Sequence, residues 1–219
     1  MSAFKLEEVT PAPESFTMIA LPDTQNYAQY YPAIYTQQTQ WIVAQKNALN
    51  IVFVGHEGDI VNNAGSTTEY DNADTSMSYL EDPVTTGLTD GITYSIVPGN
   101  HDQPTTNFNI YFGVSRFTGR GYYGGHYSTT NDNNFILFSA GGMDFIVVSL
   151  DYNPDTSELA WADSILQTYS SRRAIVISHS ILNTDASWTG PGLNIYNALS
   201  DNPNLFLMLC GHNHGEARR

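Results

Sequence analysis

The sequence predicts a layered α/β domain, and three observations carry that prediction. Short β-type runs recur along the chain, helical periodicities fall between some of them, and the runs are nearly continuous in apolar residues rather than alternating. Continuous apolar runs suit strands covered on both faces, and strands interleaved with helices argue for layers built on a mixed sheet or on two sheets. At 219 residues, 41% of them apolar, the chain is long enough for one sizeable core and short for two. One domain over 1–219 is expected, with its motifs between residues 16 and 215.

The elements follow in order. Phe16 to Leu21 reads as a strand that runs into Pro22-Asp23. Tyr35 to Leu49 has a helical pattern that places Trp41, Ala44 and Ala48 on one face. Asn50 to Gly55 is a strand ending at "HEGDIVNN", and Ile92 to Val97 is another ending at "PGNHD". Between them, Asn62 to Asp90 is polar, with a short helix expected over Ala73 to Leu80; Gln103 to Asn134 is rich in Tyr, Gly, Asn and Thr. Each of these segments follows a strand-end cluster, so both are expected to overhang that edge. Phe135 to Leu150 reads as two strands around Gly141-Gly142, a hairpin by its turn chemistry. Ser157 to Tyr169 is a helix with Leu159, Ala162, Leu166 and Tyr169 on one face, and Asp155 and Glu158 spaced as an N-terminal cap pair. Two further strands, Ala174 to Ser178 and Leu205 to Cys210, run into His179 and into "GHNH".

Charge narrows the function. Two lysines and six arginines face 22 carboxylates, for a net charge of −14. That field repels polyphosphate backbones, so binding nucleic acid by counterion release is disfavoured. An anionic substrate would need local positive charge, for which bound divalent cations are the natural source. The lone Cys210 excludes an intramolecular disulfide and reads as a small buried thiol. No apolar run approaches the roughly 18 residues of a membrane span, and the amino terminus lacks the hydrophobic segment of a signal peptide. A soluble protein is expected. Scarce lysine with abundant Asn, Thr and Tyr suits a secreted or periplasmic bacterial protein whose signal has been removed.

Five strand ends carry donor side chains: Asp23 and Gln25, Asp59, Asn100 with His101 and Asp102, His179, and His212 with His214. Ligands in open α/β sheets bind beyond the carboxyl ends of the strands. The set holds carboxylates, carboxamides and imidazoles but no thiolate, which suits divalent ions such as Mn, Fe or Zn. Seven potential ligands exceed one tetrahedral site, so a carboxylate bridging two ions is the economical arrangement. Two ions about 3.5–4 Å apart can clamp the attacking and leaving oxygens of a displacement at phosphorus.

In order and placement, "PDTQ" at 22–25, "EGDIVNN" at 57–63, "PGNHD" at 98–102, "ISHS" at 177–180 and "GHNHG" at 211–215 resemble the five motifs of the calcineurin-like metallophosphoesterases. The resemblance implies an α/β/β/α sandwich and a metal-dependent hydrolase acting on a small phosphomonoester or phosphodiester. It also implies that Asp23 and His214 bind the first of two divalent ions, that Asn100, His179 and His212 bind the second, and that Asp59 bridges both. His101 would protonate or steer the leaving oxygen, Asp102 would orient its ring, and metal-activated water would be the nucleophile.

The sequence departs from that pattern twice. Gln25 stands where the family has His, and its neutral, harder carboxamide oxygen would weaken the first metal and lean it toward Mn, Mg or Ca. Family members also continue past Gly-His-x-His with further strands, whereas this sequence ends at Arg219; an open edge there would be a route to dimers. A module that kept the fold and lost efficient chemistry is the alternative function. His56 reads as a structural neighbour of its motif, His126 as a surface-loop residue, and Tyr122, Tyr123 and Arg116 as unassigned.

Overall fold

Every apolar run predicted from the sequence becomes a strand in the computed structural model, which describes residues 15–219. The strands are β1 (Thr17–Leu21), β2 (Ile51–His56), β3 (Tyr94–Ile96), β4 (Tyr123–His126), β5 (Asn134–Ala140), β6 (Met143–Leu150), β7 (Arg173–Ser178) and β8 (Leu205–Leu209). The α-helices are α1 (Gln25–Tyr30), α2 (Pro32–Gln45), α3 (Thr67–Glu81), α4 (Pro83–Thr86), α5 (Thr106–Tyr111), α6 (Val114–Phe117), α7 (Thr156–Thr168) and α8 (Gly190–Leu199). One sheet has the order β1-β2-β3, all parallel; the other runs β4-β5-β6-β7-β8, antiparallel through the β5–β6 hairpin and parallel from β6 to β8.

Period-two alternation along the central strands divides the interior into layers. Phe145 and Val147 on β6, with Ile175 and Ile177 on β7, share a core with Phe53 and Val54 of β2 and with Tyr35 and Ile42 of α2. Ile146, Val148, Ala174 and Val176, the residues in between, pack with Leu159, Ala162 and Leu166 of α7 and with Ile195 and Leu199 of α8. The two sheets therefore face each other and helices cover the outer faces, an α/β/β/α sandwich. The α7 start is as predicted: Asp155 accepts from the N–H groups of Ser157 and Glu158, and Glu158 reaches back to the N–H of Asp155.

Several details differ from expectation. The buried face of α2 is Tyr35, Thr39 and Ile42, and Trp41 is 51% exposed; neighbouring α3 and the sheet decide which stripe is covered, not the largest apolar residue. The helix expected over Ala73 to Leu80 runs from Thr67 to Glu81, capped by Ser66, whose hydroxyl accepts from the Glu69 N–H. Neither long polar segment is an overhang: Tyr70, Met77, Leu80, Phe108, Phe112, Phe117 and Tyr122 are all core residues. Arg116 is packed inside, donating to Glu81, Asp74 and the carbonyl of Tyr111. Among the described residues β8 pairs only with β7, and Phe206 at that edge is 47% exposed.

Candidate metal centre

The carboxyl ends of β1, β2, β3, β7 and β8 bring five of the motifs together. Asp23, Asp59 and His212 each sit in the left-handed backbone region, with φ of 50°, 49° and 68°. Non-glycine residues adopt that region at a cost of about 1–3 kcal/mol each, so three strained turns converge on one place. Two glycines permit the approach. A Cβ on Gly99 would lie 2.2 Å from Asp59 Oδ1, and one on Gly211 would lie 2.5 Å from Asp23 Oδ2.

His179 is the hub. Its ring is fully buried, and its Nδ1 lies 2.8 Å from the carbonyl oxygen of Glu57. That oxygen only accepts, so Nδ1 carries the proton and Nε2 of the neutral ring presents its lone pair. Facing Nε2 at 3.2 Å each are Asp59 Oδ1, Asn100 Oδ1 and His212 Nδ1. With His179 neutral these groups crowd their lone pairs at one point, and either a proton on His179 Nε2, shared with Asp59, or a metal cation relieves the repulsion. Asp59, His179 and His212 form the group whose spacing would hold a metal ion. This is the set expected for the second ion, with Asp59 as the bridge.

The first ion's set is only partly assembled. Asp23 accepts from the His212 N–H at 3.1 and 3.2 Å and lies 3.9 Å from His179 Nδ1. Gln25 Nε2 donates to Asp59 Oδ2 at 3.1 Å, while Gln25 Oε1 is buried without a hydrogen-bond partner among the described residues. An orphaned buried carboxamide oxygen on a side chain bonded to the Asp59 carboxylate is an electron-pair donor in need of a partner, and with Asp23 and Asp59 it fits a divalent metal. His214 does not join: it is exposed and makes no hydrogen bond among the described residues.

His101 reaches the centre through its backbone, its N–H donating to Asp59 Oδ1 at 3.0 Å. Its exposed ring is oriented by the carbonyl of Asn62, 3.0 Å from Nδ1. The expected Asp102 contact to that ring is absent from the described residues. Asp102 instead accepts from the N–H groups of Gly99, Ile60 and Val61 and so ties the loop after β2 to the loop after β3. Peptide N–H groups from both loops surround its carboxylate and leave the imidazole outside.

The electrostatics follow from burial and proximity. Burial pulls His179 down, but the hydrogen bond and charge of Asp59 outweigh it and leave the imidazole above its usual range. Burial pushes Asp59 up, and His179 with the His101 N–H more than reverses that. Asp23 is raised by burial, and His212 is lowered by burial and by His179. Glu57 is pushed up to about 7 by burial and by Asp23, and Asp102 to about 7 by burial against its three N–H donors.

Sequence reasoning read His56 as a structural neighbour of its motif, and it missed the Glu57 and Asn62 carbonyls and Tyr152. His56, fully buried and pushed down to about 3 chiefly by burial, accepts from the Gly58 N–H and pairs through Nε2 with the Thr24 hydroxyl at 2.9 Å. It thus joins the loops bearing Asp23 and Asp59, the structural role expected of it. The carbonyls of Glu57 and Asn62 orient the two imidazoles, and a backbone oxygen leaves no trace in residue type. Tyr152, whose ring centroid lies 5.8 Å from that of His179 and 5.6 Å from that of His212, stands beside the centre. His126 contacts Tyr123 instead, away from these residues.

A two-sheet α/β sandwich with carboxylate, carboxamide and imidazole donors gathered at its strand ends defines the metallophosphoesterase class. The particular family is the calcineurin-like phosphoesterases: their profile matches residues 19–216, and the chain belongs to that family. The uncharacterized protein YvnB of Bacillus subtilis (strain 168) is 33% identical over 225 residues, covering 100% of this chain and 17% of YvnB. The chain therefore spans about a sixth of that relative's length. A dimetal phosphatase from Danio rerio is similar in fold, with a TM-score of 0.58 at 15% identity, over 91% of this chain and 82% of that one. TT1561 of Thermus thermophilus is similar at a TM-score of 0.52 and 10% identity, over 84% and 77% of the two chains. No described helix is long and apolar enough to cross a membrane.

Proposed function

We propose that this chain hydrolyses small phosphoesters at a centre of two divalent metal ions. The observation that carries the proposal is the meeting of Asp59 Oδ1, Asn100 Oδ1 and His212 Nδ1 on the lone pair of His179 Nε2, all at 3.2 Å. In this reading Asn100, His179 and His212 hold one ion, Asp23 and Gln25 hold the other, and Asp59 is shared. His214, exposed here, joins Asp23 and Gln25 only if the Gly211–Gly215 turn moves, so the first ion's position is the weaker one. When bound, the metals supply Lewis acidity and lower the pKa of water toward neutrality.

The chain's own groups do the rest. Asp59 is fixed from both sides, by Gln25 Nε2 on Oδ2 and by the His101 N–H on Oδ1. Water's oxygen bonds to phosphorus as the ester P–O bond breaks; the departing oxygen takes up a proton from His101, whose ring is held by the Asn62 carbonyl, and the proton released by the water restores His101 through solvent. Buried His179 keeps bulk solvent from the inner side of the centre.

Metal analysis with turnover of nitrophenyl monoester and diester probes in added Mn tests the reading. Two metals per chain, activity abolished in Asp59→Asn, and turnover reduced with metal retained in His101→Ala are expected. The exposed position of His214 favours one second reading, a single-metal binding module. Saturation at one metal with no turnover of either probe would establish that reading instead.

A further inference from the structure

No described lysine or arginine makes an ion pair or hydrogen bond with Asp23, Asp59, His179 or His212. Arg116 and Arg120 are bound to Asp74 and Glu81. Arg172 and Arg173 stand at the start of β7, the opposite end of that strand from His179, and Lys46 precedes β2, the opposite end from Asp59. Arg219 donates to the Ala186 carbonyl and lies 5.4 Å over the Trp188 ring, and Arg218 lines the groove along β8 that Glu57 also borders.

The loop after β6 closes the other side of the centre with neutral and acidic groups. Tyr152 places its ring against both imidazoles. Asp151 receives Gln103 Nε2 at 3.0 Å, two residues beyond His101, and is pushed up to about 6 by burial, with Asp132 and Glu158 adding to the shift. A phosphomonoester approaches two negative charges above a second pKa near 6, whereas a diester keeps one. A dianion gains from a guanidinium or ammonium placed beside the metals; here a phenol ring and a carboxyl occupy that rim.

We propose that the centre selects phosphodiesters over phosphomonoesters, and that Tyr152 sets this preference by standing as the neutral wall beside His179 and His212. The inference rests on the hydrolase reading above. Its test compares the Mn-loaded wild type, Tyr152→Arg and Asp151→Asn at about pH 8, where the monoester is fully dianionic. The readouts are kcat/KM for bis(p-nitrophenyl) phosphate and p-nitrophenyl phosphate, and calorimetric binding of inorganic phosphate. Wild type is expected to favour the diester by about tenfold or more, well within what one unit-charge contact near a protein surface can contribute. Tyr152→Arg should raise monoester kcat/KM and phosphate affinity about tenfold without raising diester turnover, and Asp151→Asn should shift both the same way by a smaller factor.

Monoester turnover equal to or above that of the diester in wild type would overturn the proposal. So would phosphate affinity unchanged in both variants, whether or not Tyr152→Arg folds well. If the two-metal protein turns over neither probe, the hydrolase reading falls, and the phosphate titration alone still decides whether Tyr152 governs anion charge.

Discussion

Gln25 is where the sequence departs from its family, and Gln25→Leu tests what that residue does. In the metal-free protein two terms oppose each other. The substitution removes a hydrogen bond from Nε2 to the Asp59 carboxylate at 3.1 Å, a bond to a charged group worth about 1.5–3 kcal/mol. It also removes Oε1, buried with no partner, a standing cost of about 1–3 kcal/mol. Their difference is within about 2 kcal/mol in either direction, which for a chain of this size shifts Tm by at most about 4–8 °C. With metal the balance changes, because Oε1 now has a partner and both favourable contacts are lost together. Affinity for the weaker ion should fall by about 10- to 100-fold, with the other ion retained. Mn titration by calorimetry, paired with melting curves with and without Mn, reads both halves. Unchanged affinity for both ions would place Gln25 outside the ligand set. A metal-free loss of more than about 3 kcal/mol would show that Oε1 carries no penalty, and the reasoning from the orphaned oxygen would fail.

Other expectations follow from the same geometry. Gly99→Ala sets a methyl group 2.2 Å from Asp59 Oδ1, so the bridging carboxylate must move and metal content per chain should drop below one; a variant that still binds two ions refutes the close approach. His56→Leu strands the Gly58 N–H and the Thr24 hydroxyl in a buried site and should cost about 2–4 kcal/mol in urea unfolding, with weaker Mn binding because the loops of Asp23 and Asp59 lose their tie. His179 is held above its usual pKa, chiefly by Asp59 once burial is overcome. In the metal-free protein its contribution is therefore fully present below about 6.5 and lost as pH rises through the raised folded value. Metal binding needs the neutral ring, so Mn affinity should rise over that same window. Melting curves from about pH 6 to 9 should thus fall without Mn and hold or rise with it; parallel curves would remove His179 from the ligand set.

Much of the fold was legible because a two-faced strand announces itself: "NIVFVG", "AIVIS" and "LFLMLC" cannot be solvated, and each became a strand within a residue or two. The helices were less legible for physical reasons that differ from case to case. α3 exposes polar residues on most of its surface and buries a narrow stripe of Tyr70, Ala73, Met77 and Leu80, so its first turns look like loop. α8 begins Gly190-Pro191-Gly192, a turn signature by composition, yet Pro at the first turn is compatible with a helix and the Thr189 hydroxyl accepts from the Gly192 N–H to cap it. Core aromatics dispersed through Gln103 to Asn134 gave no period at all, because short helices α5 and α6 bury one or two residues each.

The centre divides along a similar line, between groups that act through side chains and groups that act through the main chain. Asp59, Asn100, His179 and His212 were readable as donors because a residue type at a strand end is visible in the sequence, and they do converge. What orients them was not readable, since the Glu57 and Asn62 carbonyls that fix the imidazoles could belong to any residue. Asp102 shows the consequence. Its type and spacing suited a partner for the His101 ring, but a carboxylate buried beside free N–H groups is stabilised more by three of them than by one exposed imidazole, and it bonds to Gly99, Ile60 and Val61. The role of His101 therefore depends on the Asn62 carbonyl, whose position is set in turn by Glu69, which accepts from the N–H groups of Asn62 and Asn63. A buried glutamate on α3, outside every motif, thus becomes the residue through which the ring's aim could be altered without touching a ligand.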